Sequence, residues 1–409
     1  MSSRLIGMVS PYPLEGDETT SFSALAGYTK TLLSCMDGNY RDKIVVLAQR
    51  TSRGKNFIEK LEGLDVFYVW RYNNPLFFLD ILIAVIKNKI KVIHFQHEVF
   101  VFGKKQYVYP YLNIILLLIL RIIGVSVVTT VHGVVSLKSI NKKFSESNKV
   151  RAPLFLIKFG LRIMYKLTCN LSSEVIVHNQ KLSSLLQKDY RVRGSKIHVI
   201  PHPLYKYETT GVRPLFLEEN LLQEAKNIVL FFGFLAPYKG LDTLIQAATS
   251  KKIVDSNIYF LIVGSVPKRY LGDALYNSWL NGVKEKSGIN KKILWSSNYV
   301  PDNEIGGYFE IADLIVIPYS QAMSASGPLS IAIYYEKPVL VSDSFNGVVQ
   351  NGLIYGKTAE DLATALVRYF DDELYGSEIK RVVVEQKIMW SDKLIGTSMA
   401  RLYRKFLAV

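Results

Sequence analysis

Short apolar segments alternate with helical segments along almost the whole chain, and this alternation constrains the fold more than any single motif. We predict a first series of strands at 4–9, 43–48, 64–70, 91–95, 125–131, 174–177 and 196–200, with helices at 21–36, 77–87 and 113–123. We predict a second series with strands at 227–232, 258–263, 292–295, 314–317 and 339–341, and helices at 241–248, 358–369 and 390–407. Buried strands that alternate with helices are typical of a parallel, doubly wound sheet.

The two series indicate two domains, because 409 residues exceed what one hydrophobic core usually needs. We predict an α/β fold of two Rossmann-like, doubly wound parallel-sheet domains that face each other across a cleft. The N-terminal domain is expected at 1–205, a polar linker at 206–225 and the C-terminal domain at 226–389. A final helix at 390–409 is expected to cross back to the N-terminal domain. Ligands of such sheets bind at the carboxyl ends of the strands.

The composition narrows the class of partner. The formal net charge of +15 favours an anionic partner, such as nucleotide phosphates, anionic lipid or nucleic acid. The two cysteines, Cys35 and Cys169, lie in unrelated segments without a C-x-x-C pattern, so we expect neither a disulfide framework nor a cysteine metal site. The chain begins with a strand and a turn, unlike a signal peptide, and this predicts a cytosolic protein.

One apolar segment, 107–131, has the length of a membrane span. Arg121 and Gly124 divide it, however, and 126–131 is rich in the β-branched residues that strands prefer. We therefore predict a buried helix followed by a buried parallel strand, with a transmembrane helix as the alternative.

Two loops of the second series carry groups that suit phosphate. Ser326 and Gly327 precede Pro328 at the expected start of a helix, where free N–H groups and the helix dipole attract anions. Lys239 lies between a strand and a helix in the segment GFLAPYKG at 233–240. Each alone could be an ordinary helix cap or a solvated lysine. At the ends of different strands of one sheet, the two loops together predict one diphosphate pocket.

Polar side chains also end strands of the first series. His132 follows the strand at 125–131 and is expected to point into the cleft; the alternative is a histidine hydrogen-bonded within its loop. The segment HFQHE at 94–98 ends another strand. Joint metal ligation by His97 and Glu98 is improbable because neighbouring strand residues point to opposite faces, so sugar hydroxyls are the better ligand. His202 is interpreted as structural.

A basic stretch at 138–166 holds eight basic residues and one acid. Lys158, Arg162 and Lys166 recur every four residues, as on one stripe of a helix, among aromatic and aliphatic residues. Such a helix suits the surface of an anionic membrane, although a core-packed helix with a solvated basic edge is the alternative. Nucleic acid is not the expected partner, because the basic residues lack an ordered series of stacking aromatics.

Taken in order, these segments resemble the GT-B fold glycosyltransferases of family 4, the retaining nucleotide-sugar transferases. The matching segments cover nearly the whole chain: SPYP with the loop of Gly16 at 10–16, HFQHE at 94–98, TTVHG at 129–133, VIPHP at 199–203, GFLAPYKG at 233–240, NYVPDNEIGGYFEIADLIVIPYS at 298–320, SGPLSIAI at 326–333 and KPVLVSD at 337–343.

The resemblance implies a donor site in the C-terminal domain. Lys239 would hold the donor diphosphate, as catalytic and phosphate-binding residue. Ser326 and Gly327 would contact phosphate through hydroxyl and backbone groups. Tyr299 and Val300 would lie against the nucleobase.

The resemblance also implies that the N-terminal domain is on the acceptor side. The loop of Gly16 would approach the donor, and His132 would touch the transferred sugar near the reacting carbon. His97 and Glu98 would bind sugar or acceptor. The leaving phosphate would itself take the acceptor proton, with retention; Glu98 as a general base, with inversion, is the alternative.

The sequence departs from the family at four positions. The family's paired glutamates align with Met323 and Ile331, so the chain is a variant that lacks them. Phe234 stands where the family usually has an arginine, and Glu336 where a glycine is usual.

The function expected from all this is transfer of a hexose from a UDP- or GDP-hexose to a lipid-linked oligosaccharide or cell-surface glycan. No cofactor or metal is expected, and the protein is expected in the cytoplasm, peripherally attached to the inner face of the cell membrane. Two alternatives are a non-catalytic subunit that binds glycan or nucleotide, suggested by the missing glutamates, and a sugar-nucleotide epimerase, which would need no acceptor.

Overall fold

The computed structural model describes residues 6–14, 24–50, 57–105, 107–147, 150, 152–207, 227–267, 270–321 and 326–407. The chain forms two compact units. The first unit comprises Met1–Pro203 with Ser391–Val409, and the second comprises Leu204–Trp390. The predicted loop of Gly16, most of the predicted linker and the position of Met323 lie outside the described residues.

The first unit is built on an eight-stranded sheet with the order β3-β4-β2-β1-β5-β6-β7-β8. Its strands are β1 Ile6–Val9, β2 Ile44–Gln49, β3 Phe57–Leu61, β4 Leu64–Trp70, β5 Val92–His97, β6 Ser126–Val131, β7 Glu174–Val177 and β8 Ile197–Val199. Its helices are α1 Ala24–Ser34, α2 Gly38–Arg41, α3 Phe77–Lys87, α4 Tyr109–Ile122, α5 Lys142–Ser147, α6 Leu154–Leu171 and α7 Gln180–Tyr190.

The second unit is built on a six-stranded sheet with the order β11-β10-β9-β12-β13-β14. Its strands are β9 Ile228–Phe232, β10 Tyr259–Val263, β11 Ile293–Ser296, β12 Leu314–Ile317, β13 Val339–Ser342 and β14 Ile354–Gly356. Its helices are α8 Leu241–Ala248, α9 Lys251–Val254, α10 Ala274–Ser287, α11 Asp302–Ile311, α12 Gly327–Tyr334, α13 Ala359–Asp371 and α14 Glu373–Met389. The last helix of the chain is α15 Asp392–Leu407.

The predicted α/β class with two Rossmann-like sheets is confirmed, and every described strand pair is parallel except β3 with β4. Strand β3 was not predicted; it is an edge strand whose side chains are half-buried or exposed throughout. A tight turn joins it to β4, with positive φ at Glu62 (49°) and Gly63 (83°). Two consecutive positive φ angles suit a two-residue hairpin.

Helix α4 corrects the prediction for the long apolar segment. It begins at Tyr109, four residues earlier than predicted, and it is buried on one side only. Leu117 and Leu120 are buried, whereas Ile115, Leu118 and Ile122 are 47%, 47% and 73% exposed. Within the described residues, no helix has both the length and the apolar character needed to cross a membrane.

Helix α15 packs against α1 of the first unit. Gly396 allows the close approach, because a Cβ atom there would lie 2.1 Å from the carbonyl oxygen of Cys35. Further along α15, the hydroxyl of Tyr403 lies 2.6 Å from His94 Nδ1 in β5. The last helix is therefore tied to the centre of the first sheet.

Candidate active site

Glycines shape the loops at the carboxyl end of the second sheet. Gly240 has a φ of +76°, and a Cβ atom there would lie 1.7 Å from the carbonyl oxygen of Pro318. Gly233 has a φ of +124°, and a Cβ atom on Gly264 would lie 1.7 Å from its carbonyl oxygen. Only glycine fits both conditions at Gly240, namely left-handed backbone and close packing. The loop after β9 is thereby pressed against the loop after β12.

This packing encloses the ammonium group of Lys239 among aromatic rings. The residue is 8% exposed. Its Nζ donates a hydrogen bond to the hydroxyl of Tyr319 and lies 3.9 Å from the centroid of that ring. The ring of Tyr238 is 5.4 Å away. Within the part of the chain that the structure describes, no acidic side chain balances this charge, and burial lowers the pKa of Lys239 to about 7. A buried ammonium group with aromatic partners gains most from an added anion.

The start of α12 lies beside this lysine. Ser326 is the N-cap residue, and its hydroxyl accepts a hydrogen bond from the backbone N–H of Leu329 at 3.4 Å. The same hydroxyl lies 3.1 Å from the hydroxyl of Tyr319. Gly327 follows in the first turn of the helix. The structure thus brings together Lys239, Ser326 and Gly327, the three described residues that were predicted to bind phosphate.

Tyr319 is the functional candidate that sequence analysis missed. It is fully buried, and its hydroxyl joins the Lys239 ammonium group to the Ser326 hydroxyl. Its backbone carbonyl accepts a hydrogen bond of 2.6 Å from the Ser342 hydroxyl. The available signal was its position two residues after β12, at the carboxyl end of a parallel strand.

The two predicted nucleobase residues differ in environment. Tyr299 is 59% exposed. Val300 is 9% exposed and is part of the hydrophobic core of the second unit. The Val300 side chain packs inward, and the prediction that Tyr299 and Val300 lie against the nucleobase stays a prediction.

Three of the positions at which the resemblance predicted departures lie within the described residues. Ile331 is buried in α12 and is part of the core of the second unit. Glu336 has a φ of +53°, a conformation that glycine adopts more easily. Its carboxylate forms an ion pair of 2.8 Å with Lys387. Phe234 is exposed in the loop after β9.

The first unit has a histidine cluster at the carboxyl ends of its central strands. We use this name for His94, Gln96, His132, His178 and His202. His132 Nε2 lies 2.9 Å from Gln96 Oε1, and His132 Nδ1 lies 3.1 Å from His178 Nε2. His178 Nδ1 lies 3.1 Å from the carbonyl oxygen of Ile200. Both ring nitrogens of His132 are therefore already hydrogen-bonded within the unit.

Desolvation makes the cluster neutral. Burial lowers the pKa of His94 to about 3 and that of His178 to about 4, and it also holds the pKa of His132 well below its usual value. A carbonyl only accepts, so His178 donates to Ile200, and the other nitrogen of a neutral His178 accepts from His132 Nδ1. The polar side chains of the cluster thus contact one another in a continuous series.

The predicted sugar- or acceptor-binding residues of this unit differ in exposure. The His97 side chain is 3% exposed, and its Nε2 has no hydrogen-bond partner among the described residues. Its contact with a sugar or acceptor stays a prediction. Glu98, which follows β5, is exposed. His132 is half-buried, but its engaged nitrogens leave only the ring edge and the backbone for a sugar.

His202 and the basic stripe complete the predicted residues. His202 packs against Tyr28 with a centroid distance of 4.9 Å, and its Nδ1 lies 2.7 Å from the carbonyl oxygen of Pro203. Lys158 is half-buried on α6, and Arg162 and Lys166 are exposed on the same helix.

Comparison with known proteins now assigns a class. Residues 212–381 match the family model described as "Glycosyl transferases group 1". No curated protein sequence matches the chain. The domain match and the two-sheet fold agree on the class of the protein, a GT-B glycosyltransferase.

Solved structures share this fold over the whole chain. Sucrose-phosphate synthase from Thermosynechococcus elongatus superimposes with a TM-score of 0.73, 15% identity and 99% coverage of each chain. HepE from Anabaena, in complex with UDP and glucose, gives 0.67 at 16% identity, covering 98% of this chain and 100% of that one. WaaG, a glycosyltransferase involved in lipopolysaccharide biosynthesis, gives 0.62 at 14% identity, covering 99% and 100%. At these identities the likeness establishes the fold.

Proposed function

We propose that the chain transfers a hexose from a UDP- or GDP-hexose to a lipid-linked oligosaccharide or another cell-surface glycan, with retention and without a metal ion. It would be a family 4 variant that lacks the paired glutamates. The observation that carries the proposal is the ammonium group of Lys239, which no acidic side chain of the described residues balances and which is linked through Tyr319 to the helix cap at Ser326. The complex of HepE with UDP and glucose supports a nucleotide-sugar donor.

The chemistry follows from the charge that develops during the reaction. Cleavage of a nucleotide-sugar bond leaves negative charge on the departing diphosphate. The Lys239 ammonium group, the Ser326 hydroxyl and the first N–H groups of α12 would stabilise this charge inside a site with little water. The leaving phosphate would accept the proton of the attacking hydroxyl.

The acceptor and its location are proposals of the same kind. The likeness in fold to WaaG, a glycosyltransferase involved in lipopolysaccharide biosynthesis, is consistent with a lipid-linked acceptor. A peripheral position at the inner face of the cell membrane would bring the chain to such an acceptor. The basic stripe of Lys158, Arg162 and Lys166 supports this position, because exposed cations attract anionic lipid headgroups.

A donor screen followed by a turnover assay tests the function. A nucleotide sugar that binds should raise the midpoint of thermal unfolding, because a ligand that binds only the folded state stabilises it. The same donor should then release UDP or GDP when an acceptor is added, and the anomeric configuration of the product should match that of the donor. Donor binding with no release across acceptors would contradict transferase activity.

That outcome would favour the second candidate, a non-catalytic binding subunit. The observation behind it is the buried Ile331, which leaves no carboxylate at the position where the family's second glutamate is expected. An epimerase would be recognised differently, by conversion of the nucleotide sugar in the absence of any acceptor.

A further inference from the structure

Three neighbouring helices of the first unit lie in one layer. Helices α3, α4 and α6 follow β4, β5 and β6, and the chain moves in the same direction along the sheet each time. Right-handed crossovers then place all three helices on the same face of the sheet. Consistent with this, α3 packs against α4 and α4 packs against α6.

The outer sides of these helices are apolar. We define the apolar face by two side chains from each helix: Ile83, Ile86, Leu118, Ile122, Phe155 and Phe159. Their exposed fractions range from 47% to 73%. Within each helix the two residues are three or four positions apart, so they share one side. An exposed apolar surface that spans three helices is larger than scattered surface residues produce, and it indicates an interaction site.

The apolar face is not a general property of this layer. Helix α7 continues the layer beside α6. Its exposed side chains include Gln180, Gln187 and Lys188. The same sheet face is therefore polar where α7 covers it and apolar where α3, α4 and α6 do.

Charge identifies the partner. The three helices contain five basic residues, namely Lys87, Arg121, Lys158, Arg162 and Lys166, and one acid, Asp80. The carboxylate of Asp80 lies 3.6 Å from a guanidinium nitrogen of Arg50, so it does not neutralise the others. A second copy of this chain would bring a face of the same sign. A soluble anion would leave the apolar side chains in water.

We propose that the apolar face docks on a bilayer that contains anionic phospholipid. Its aliphatic and aromatic side chains insert shallowly among the acyl chains, and the surrounding lysine and arginine side chains reach the headgroups. Docking on a bilayer deepens the proposed function. It rests on that function only in placing a lipid-linked acceptor at the membrane. It also adds the apolar outer sides of three helices to the contact made by the basic stripe of α6.

Flotation with vesicles of phosphatidylglycerol and phosphatidylcholine tests the proposal with the full chain. The triple variant Ile83→Asn, Ile122→Asn and Phe159→Asn changes one exposed residue on each helix, and its partition to vesicles should fall about tenfold. The triple variant Lys158→Glu, Arg162→Glu and Lys166→Glu should lose about a hundredfold. Vesicles of phosphatidylcholine alone should bind the unmodified protein weakly.

Matched controls come from the second unit. Leu275, Ile289 and Leu374 are 85%, 68% and 83% exposed, and their joint change to Asn should leave partition unchanged. Lys251, Lys286 and Lys380 are exposed, and their joint change to Glu controls for net charge. Unchanged thermal unfolding would show that the variants fold.

Two results would overturn the proposal. One is flotation of the Asn triple variant at the level of the unmodified protein. The other is a dimer in sedimentation that this variant converts to monomer, which would assign the apolar face to a second copy of the chain. Diphosphate release with a water-soluble acceptor should persist in the face variants, so loss of lipid binding is separable from failure of the proposed function.

Discussion

Each unit has a polar cluster at the carboxyl ends of its central strands. The hydrogen-bonding and charge partners of the two clusters differ. The histidine cluster of the first unit is neutral, and its hydrogen bonds run from one side chain to the next until they reach the carbonyl of Ile200. The cluster around Lys239 holds a cation whose described partners are a phenol hydroxyl and aromatic rings.

The difference indicates what each cluster contributes. A network whose donors and acceptors are already paired stabilises a loop conformation and gains little from a ligand. A buried cation without a counterion is costly until an anion arrives, so its free energy is recovered on binding. The comparison therefore assigns charge neutralisation to the second unit and geometric support to the first.

Removal of the Lys239 ammonium group should have the largest effect of the changes considered, and it should act on the rate of diphosphate release. Lys239→Ala should lower the rate of diphosphate release by about 10²- to 10³-fold, because one preorganised charge on the leaving group is lost. Lys252→Ala is the matched control, since Lys252 is an exposed lysine of the same unit that pairs with Glu360 at 2.8 Å. Steady-state assays would measure both. A Lys239→Ala variant as fast as the control would remove this lysine from the mechanism.

Interruption of the histidine cluster should have an intermediate effect, and the quantity that changes should be the stability of the first unit. Gln96→Met keeps a similar volume but removes the contacts of the Gln96 amide with His94 Nε2 (3.4 Å) and His132 Nε2 (2.9 Å), so it should lower the free energy of unfolding of the first unit by about 2 kcal/mol. Urea unfolding with hydrogen exchange resolved by unit would measure it. Gln180→Met, at an exposed position, is the control. If the two variants were equally stable, the cluster would not act as a connected network.

A dependence of donor affinity on pH should be the smallest effect. Because the pKa of Lys239 in the free protein is about 7, this lysine loses its charge as the pH rises through 7, whereas a bound diphosphate favours the charged form. The dissociation constant of the nucleotide sugar should therefore rise about fivefold from pH 7 to pH 8, with uptake of a proton on binding.

Below pH 7 the lysine is charged in both states, so the dissociation constant should level off. Lys239→Arg is the control, because a guanidinium group remains charged throughout this range. Calorimetric titrations between pH 6 and pH 9 would give the comparison. A constant affinity across this range in the unmodified protein would mean that the lysine is already charged before the donor binds.

Much of the fold and part of the candidate site could be predicted from the sequence. The strands at Leu64–Trp70, Glu174–Val177 and Leu314–Ile317 were predicted to the residue, because short apolar runs between turn signals leave few alternatives. Lys239 and Ser326 were predicted as neighbours because strand ends of one parallel sheet converge on one edge. Edge strand β3 was not predicted, because a half-exposed strand lacks the continuous run of apolar residues that marks a buried strand.

The remaining features depend on long-range packing. Three such features are the burial of His97, the contacts of the His132 ring nitrogens and the hydrogen bonds of Tyr319. They depend on residues that are up to 80 positions apart in the chain. Local patterns do not say which side chains meet across such distances, or which hydrogen bonds are already made.

By itself the sequence determined two sheets of mainly parallel strands, the strand ends, and Lys239 as a candidate cation for binding phosphate. Only the tertiary structure decided which side of α4 is covered. A helix that is apolar all round has no polar side to mark its exposed surface, so its periodicity predicts no direction. The neighbouring helices and the sheet choose the buried side, and they leave Leu118 and Ile122 in contact with solvent.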